Sequence, residues 1–204
     1  LDAGKHISLC GPPGGGKSTA PEQYFIQRGL PFVVVNGDAG LRRRDLEGSV
    51  ELVNGTTHFS VADMAAAALN GWGCILNEVN ACDADALLWL NGILETPHRV
   101  TIHGKSYPVH KDFRLVVTYN AGLVGTKPLP QSFKDRFASF KLGFPDPTFL
   151  RKLMLAKGMP MNAPYANTML RVASALWAAQ EKGTIRYQLS PRRLFDAVFY
   201  VESG

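Results

Sequence analysis

Cysteine is scarce and unpatterned in this chain. The three residues, Cys10, Cys74 and Cys82, form no CxxC pair and no even set, which argues against a disulfide framework and a thiol redox motif. Cys10 and Cys74 sit in apolar runs and read as small buried hydrophobes. None of the five histidines (His6, His58, His98, His103, His110) stands at ligand spacing from a cysteine or an acidic cluster, so no zinc-type centre is expected. No Gly-x-Ser-x-Gly turn occurs, which leaves nucleophilic hydrolysis without a candidate. No apolar run reaches membrane-spanning length and no signal-peptide pattern is visible, so a cytoplasmic location is expected. Repeats and low-complexity segments are absent as well. The chain opens Leu1-Asp2-Ala3-Gly4 without an initiator Met and runs almost directly into a strand, as a fragment or a trimmed chain would.

What is present is ordinary globular material. The 204 residues are 46% hydrophobic and 19% charged, enough for one large domain, or one domain with a small appendage, around a sizeable core. The net charge of +5 suits an anionic ligand, and a nucleotide satisfies it as well as nucleic acid does. Arg42-Arg43-Arg44 is a short basic run that reads either as a solvated face or as a contact for an acidic partner or nucleic acid. Short apolar runs at Ile7–Cys10, Phe32–Asn36, Cys74–Leu76, Leu115–Tyr119 and Phe140–Leu142 read as strands buried on both faces. Helical patterns alternate with them, over Lys17 to Gln27 and from Asp83 to Glu95, so a sheet covered by helices is expected. Pro21 predicts a kink in the first helix. Gly48–Gly55 reads as an interruption of one helix that resumes over Val61–Leu69. Val100–His103 and Tyr107–Val109 read as a short hairpin. Asp83 and Asp85 flank a helix start and read as cap or first-turn acids, and Trp72, Trp89 and Trp177 as core. Beyond Pro145 and Pro147 the pattern is helical only, with Met169, Val172, Ala173, Leu176 and Trp177 on one face and Ser190-Pro191 opening a last helix.

The strongest chemical signal is Gly11-Pro12-Pro13-Gly14-Gly15-Gly16-Lys17-Ser18, which matches GxxxxGK[ST] between a strand and a helix. Glycines are needed because the backbone amides must curl around phosphate oxygens where a Cβ would collide. Lys17 supplies positive charge to the β- and γ-phosphates, Ser18 a hydroxyl ligand for Mg²⁺, and the helix beginning near Thr19 its N-terminus. The pattern therefore predicts that a nucleoside triphosphate such as ATP binds along Gly11–Thr19 with Mg²⁺.

Two further strand ends carry polar groups. Gly73-Cys74-Ile75-Leu76-Asn77-Glu78 ends a buried strand with Glu78 placed to orient and deprotonate an attacking water. The position before it, Asn77, offers the metal a carbonyl oxygen without negative charge. Asn77 reads as a natural variant with slow hydrolysis, as an engineered change that traps nucleotide, or as an amide that suffices. Leu115-Val116-Val117-Thr118-Tyr119-Asn120 ends in an amide suited to holding the water or the γ-phosphate from the opposite side; a strand-end turn former is the alternative.

Together these residues resemble an AAA+ ATPase of the MoxR branch, with its CbbQ/NorQ-like and dynein-related relatives. The glycine loop resembles Walker A, and Asn77-Glu78-Val79-Asn80-Ala81 resembles the Walker B run Asp-Glu-Ile-Asn-Arg-Ala with departures at Asn77 and Ala81. Thr118-Tyr119-Asn120-Ala121-Gly122 resembles sensor 1, Lys127 to Phe137 the segment that places an arginine finger, and Ser190-Pro191-Arg192 sensor 2. The resemblance implies a P-loop NTPase αβα sandwich with a parallel five-stranded sheet over residues 1–145, followed by a small all-helical AAA+ lid over 146–204. It implies that Glu78, Asn120, Arg136 and Arg192 are catalytic, with Arg136 reaching a neighbouring subunit's nucleotide in a ring, usually a hexamer. Arg193, adjacent to Arg192, is an alternative for the sensor 2 contact. Gly48–Gly55 would be the helix-2 insert, facing the pore of the ring or a partner. A partner protein carrying a von Willebrand A domain is implied for the branch. A nucleic-acid motor and a nucleotide-gated scaffold with negligible hydrolysis are the alternatives.

Overall fold

The computed structural model describes residues 1–120, 128–158, 164–185 and 189–203. Among them lie nine strands: β1 (Ile7–Cys10), β2 (Phe32–Asn36), β3 (Gly48–Val53), β4 (Thr56–Val61), β5 (Gly73–Asn77), β6 (Arg99–Ile102), β7 (Lys105–Pro108), β8 (Arg114–Tyr119) and β9 (Ala138–Lys141). Eight helices accompany them: α1 (Thr19–Gln27), α2 (Arg43–Glu47), α3 (Asp63–Asn70), α4 (Ala84–Leu94), α5 (Gln131–Lys134), α6 (Pro147–Ala156), α7 (Pro164–Glu181) and α8 (Pro191–Ser203). The chain divides into two compact units, one of Leu1–Cys10 with Lys17–Lys141, the other of Gly11–Gly16 with Leu142–Gly204.

The first unit is an αβα sandwich. Its parallel five-stranded sheet has the order β2-β5-β8-β1-β9. Alternation along the central strands feeds two cores. Cys74, Leu76, Leu115 and Val117 join Met64, Trp89, Leu90 and Phe133 on one face, while Ile75, Val116 and Leu9 meet Phe25 on the other. Strands buried on both faces carry little polar side-chain material until their last residue. The polar ends Asn36 and Asn77 therefore fall at the carboxyl edge of the sheet, with Asn120 one residue beyond β8.

Several expectations are modified. Helix α1 starts at Thr19, so Pro21 lies in its first turn, where an amide would have no partner inside the helix. No backbone bond is sacrificed, and the proline gives no cause for a kink. The interrupted helix is a hairpin: β3 and β4 pair antiparallel about Asn54-Gly55, both at positive φ (52° and 79°), between α2 and α3. The second hairpin turns at His103-Gly104 rather than at residues 104–106, again with both φ values positive (48° and 75°). Strand β9 begins two residues before its expected start. Cys74 and Cys82 are buried, but Cys10 is only half-buried at the end of β1. Burial pushes the Cys82 thiol up to about 11, which makes it inert at neutral pH.

In the second unit, Asp146 caps α6 by accepting from the amides of Thr148 and Phe149, with Pro147 in the first turn. The Thr148 side chain first, and then these amide bonds, hold the Asp146 carboxyl below the usual range. Leu150, Met154, Ala166, Leu170, Ala173, Trp177 and Leu194 form a helical core, and Phe144 stacks on Trp177 at 5.0 Å. Val172, expected on the buried face of α7, is exposed, because the face runs through Ala166, Leu170, Ala173 and Trp177. Among the described residues no helix is long and apolar enough to cross a membrane.

Candidate functional site

In the first unit, Lys17 and Ser18, just before α1, meet Asn77, Glu78 and Asn120 at the carboxyl ends of the paired strands β5 and β8. Lys17 is 7% exposed, and its Nζ donates to Asn120 Oδ1 at 2.7 Å. Burial lowers its pKa, with the Glu78 carboxylate acting in the opposite sense. The other end of the Asn120 amide donates to both Glu78 oxygens, at 2.7 and 2.8 Å. Asn120 is thus a clasp between a buried cation and an anion, which satisfies each without direct contact between them.

Glu78 adopts the left-handed conformation, φ 53° and ψ 40°. A residue with a Cβ is disfavoured there by about 1–2 kcal/mol, and the conformation is held by the three-residue 3-10 turn Val79–Ala81 that follows. Within that turn Asn80 is buried and donates to the Asn120 carbonyl at 3.2 Å. Backbone and side chain of Asn120 are therefore both tied to the turn that carries Glu78.

Ser18 precedes α1 but its hydroxyl makes no cap bond; it donates to Asn77 Oδ1 at 2.7 Å. Thr118 Oγ1 donates to the same oxygen at 3.1 Å, and the Asn77 amide donates to Asn36 Oδ1 at 3.0 Å. The two residues expected to face Mg²⁺, Ser18 and Asn77, are adjacent, but both are neutral. Such oxygens fit a Mg²⁺ that arrives on the phosphates of a nucleotide; they do not fit a cation held by protein carboxylates alone. No group of three or more His, Cys, Asp or Glu side chains able to hold a metal exists among the described residues.

In the second unit, the glycine loop follows the positive-φ pattern its sequence requires, at Gly14 (74°) and Gly16 (82°). A Cβ on Gly11 would lie 2.5 Å from the Leu142 carbonyl oxygen, so the start of the loop admits glycine only. Pro12 accepts from the Gly15 amide at 3.2 Å, which closes a turn that includes Pro13. Gly14 packs on Ser190 and Pro191, at the start of α8. Arg192 and Arg193 follow in that first turn and are exposed.

Arg136, after α5, is engaged by the Glu95 carboxylate and the Ser132 carbonyl in the single chain. It is not among the residues that surround Lys17. Ala121, Gly122 and Lys127 lie outside the described residues. Asn36 carries no functional motif in the sequence, and Thr118 is marked there only as part of the run that resembles sensor 1. The contacts of both with Asn77 have no signal beyond position, as polar residues at or next to the ends of Val-rich strands.

Residues 6–137 match the AAA domain (dynein-related subfamily). Over 96% of its length the chain is 24% identical to the uncharacterized protein YojN of Bacillus subtilis, of which it covers 67%. It is likewise 24% identical to an uncharacterized protein of Staphylococcus aureus (strain NCTC 8325), of which it covers 78%. Among solved structures, a protein of Cytophaga hutchinsonii proposed to be an ATPase superposes with TM-score 0.63 at 25% identity, over 80% of this chain and 48% of that one. NtrX of Brucella abortus, solved with ADP, superposes with TM-score 0.63 at 19% identity, over 96% of this chain and 44% of that one; this likeness concerns the fold. The chain spans about half the length of both solved proteins.

Proposed function

The chain belongs to the AAA domain family (dynein-related subfamily), and from that premise we propose that it binds ATP along Gly11–Thr19 and hydrolyses it slowly. We place it in the MoxR branch, as a subunit of a ring, usually a hexamer, that remodels or activates a partner protein. A partner with a von Willebrand A domain is the branch's usual arrangement. The observation that carries the reading is the Lys17–Asn120–Glu78 clasp, which joins the loop cation to the base through one amide.

A γ-phosphate entering beside Lys17 competes with Asn120 for the ammonium and offers the Asn120 amide a new acceptor. Glu78 is then released to take a proton from the water that attacks phosphorus, and ADP is the leaving group. The Ser18 hydroxyl and the Asn77 carbonyl oxygen would hold Mg²⁺, which would supply further charge neutralisation at the phosphates. Arg136 would leave Glu95 to reach the nucleotide of the next subunit, and Arg192 would contact the γ-phosphate from α8.

Asn77 favours a second reading, a nucleotide-gated scaffold with negligible turnover, because the amide adds no charge at the metal. Phosphate release from the chain and from Asn77→Asp, with mass measured with and without ATP, separates the two. Slow release that rises in Asn77→Asp, with assembly on ATP, is expected of the ATPase. Assembly without release from the unmodified chain indicates the scaffold. Absence of both assembly and release overturns the ring ATPase.

A further inference from the structure

We propose that Asn36 is a positioning residue for Asn77, and that the resulting amide pair makes triphosphate binding nearly independent of a divalent cation. This rests on the nucleotide-binding reading above and specifies which form of the ligand the site accepts.

Strands β2 and β5 are paired so that Asn36 stands opposite Asn77. The pairing is closed just beyond Asn36, where the Gly37 amide donates to the Asn77 carbonyl at 2.7 Å. A Cβ on Gly37 would lie 2.7 Å from that oxygen and 2.8 Å from both the Glu78 carbonyl oxygen and Cys82 Sγ. Glycine is therefore required for the two strand ends to approach this closely.

The approach sets the Asn77 amide. Its nitrogen donates to Asn36 Oδ1, which leaves Oδ1 of Asn77 to receive Ser18 Oγ and Thr118 Oγ1. Two hydroxyl donors use both lone pairs of that oxygen. With Asn36 in this orientation, turning the Asn77 amide over would bring its oxygen against Asn36 Oδ1. Asn36 and Asn77 thus form a neutral amide pair in which Asn36 fixes the direction of the Asn77 oxygen.

The consequence is electrostatic. A carboxylate beside Ser18 would attract Mg²⁺ and, without it, repel the phosphates. The amide pair is neutral: its oxygen can accept a Mg²⁺ that arrives on the phosphates, but in the absence of the cation nothing at position 77 repels them, and the triphosphate meets the Lys17 cation with no protein anion there. Glu78 is the nearby acid, and both its oxygens are occupied by Asn120.

The test is equilibrium binding of ATP to the whole chain in excess Mg²⁺ and in EDTA, with thermal melts alongside. Affinity of the unmodified chain is expected to change by less than about threefold between the two conditions, whereas Asn77→Asp is expected to bind more than about tenfold better with Mg²⁺. Asn36→Leu removes the acceptor and is expected to weaken ATP binding about three- to tenfold in both conditions. Asn36→Asp keeps an acceptor and is expected to restore binding in Mg²⁺, a rescue that a purely structural role would not give. A Mg²⁺ dependence above about tenfold in the unmodified chain overturns the proposal, as does unchanged binding in Asn36→Leu. If Asn36→Leu fails to fold, the unmodified chain and Asn77→Asp decide the matter. No ATP binding in either condition would refute the nucleotide-binding reading itself.

Discussion

His6, the residue before β1, gives a pH dependence that can be worked out from its surroundings. Its Nδ1 accepts the Leu115 amide at 3.0 Å, a bond that needs the neutral ring. Burial, then His98 and Arg114, push its pKa down from 6.5 to about 4. Because the folded value lies below the unfolded one, the unfolded chain binds more protons between them. The stability is whole above pH 6.5 and is lost as pH falls through about 4. At pH 5 the loss is about 2 kcal/mol relative to pH 7.5, with a ceiling of about 3 kcal/mol at lower pH. With a urea slope of about 2 kcal/mol per molar, the unfolding midpoint should drop by about 1 M between pH 7.5 and pH 5. His6→Asn keeps an oxygen for the Leu115 amide and removes the titration, so its drop should be smaller by that amount. Groups common to both proteins cancel in the comparison. Equal drops in the two proteins would refute the assignment.

Two further outcomes follow from packing and pairing. Gly73→Ala would put a Cβ 2.4 Å from Phe25 Cζ, in a ring 1% exposed and stacked on Phe32. Overpacking of this kind costs about 1–3 kcal/mol, and an unchanged melting temperature would contradict it. Arg136→Ala removes the contact with a Glu95 that is about half exposed, so stability should shift by at most about 1 kcal/mol. ATP binding should persist, while phosphate release from the assembled protein falls at least about 100-fold if the guanidinium acts in trans. Unchanged release would remove Arg136 from the mechanism.

The sheet and the phosphate loop were legible because their signals are local. β1 and β2 fall within their expected bounds, and β5 and β8 extend theirs by one or two residues, since apolar runs between polar ends leave little choice. The β9 start was misplaced because that strand is largely exposed at the sheet edge and lacks a continuous apolar run. The β3–β4 hairpin was readable in principle, for Asn54-Gly55 between alternating residues is a strong turn signal. It was missed because neighbouring helical segments suggested one interrupted helix. Strand order and the contacts of Asn36 were not readable at all. They depend on which strand ends become neighbours, and parallel pairing sets that at long range. Glu78, Asn120, Ser18 and Asn77 could be named from sequence. The clasp through Asn120 and the neutral pair at Asn36 could not.

The glycine loop remains the centre of the account, and its test is direct. Calorimetric titration of ATP into the unmodified chain and into Lys17→Met, each checked by a thermal melt, measures whether the loop cation holds a triphosphate. One ATP per chain is expected, with affinity lowered at least about 100-fold in Lys17→Met, the loss of one buried charge-assisted contact together with its long-range attraction. Binding of equal strength to both folded proteins, or no binding to the unmodified chain, would contradict a nucleotide site at Gly11–Ser18.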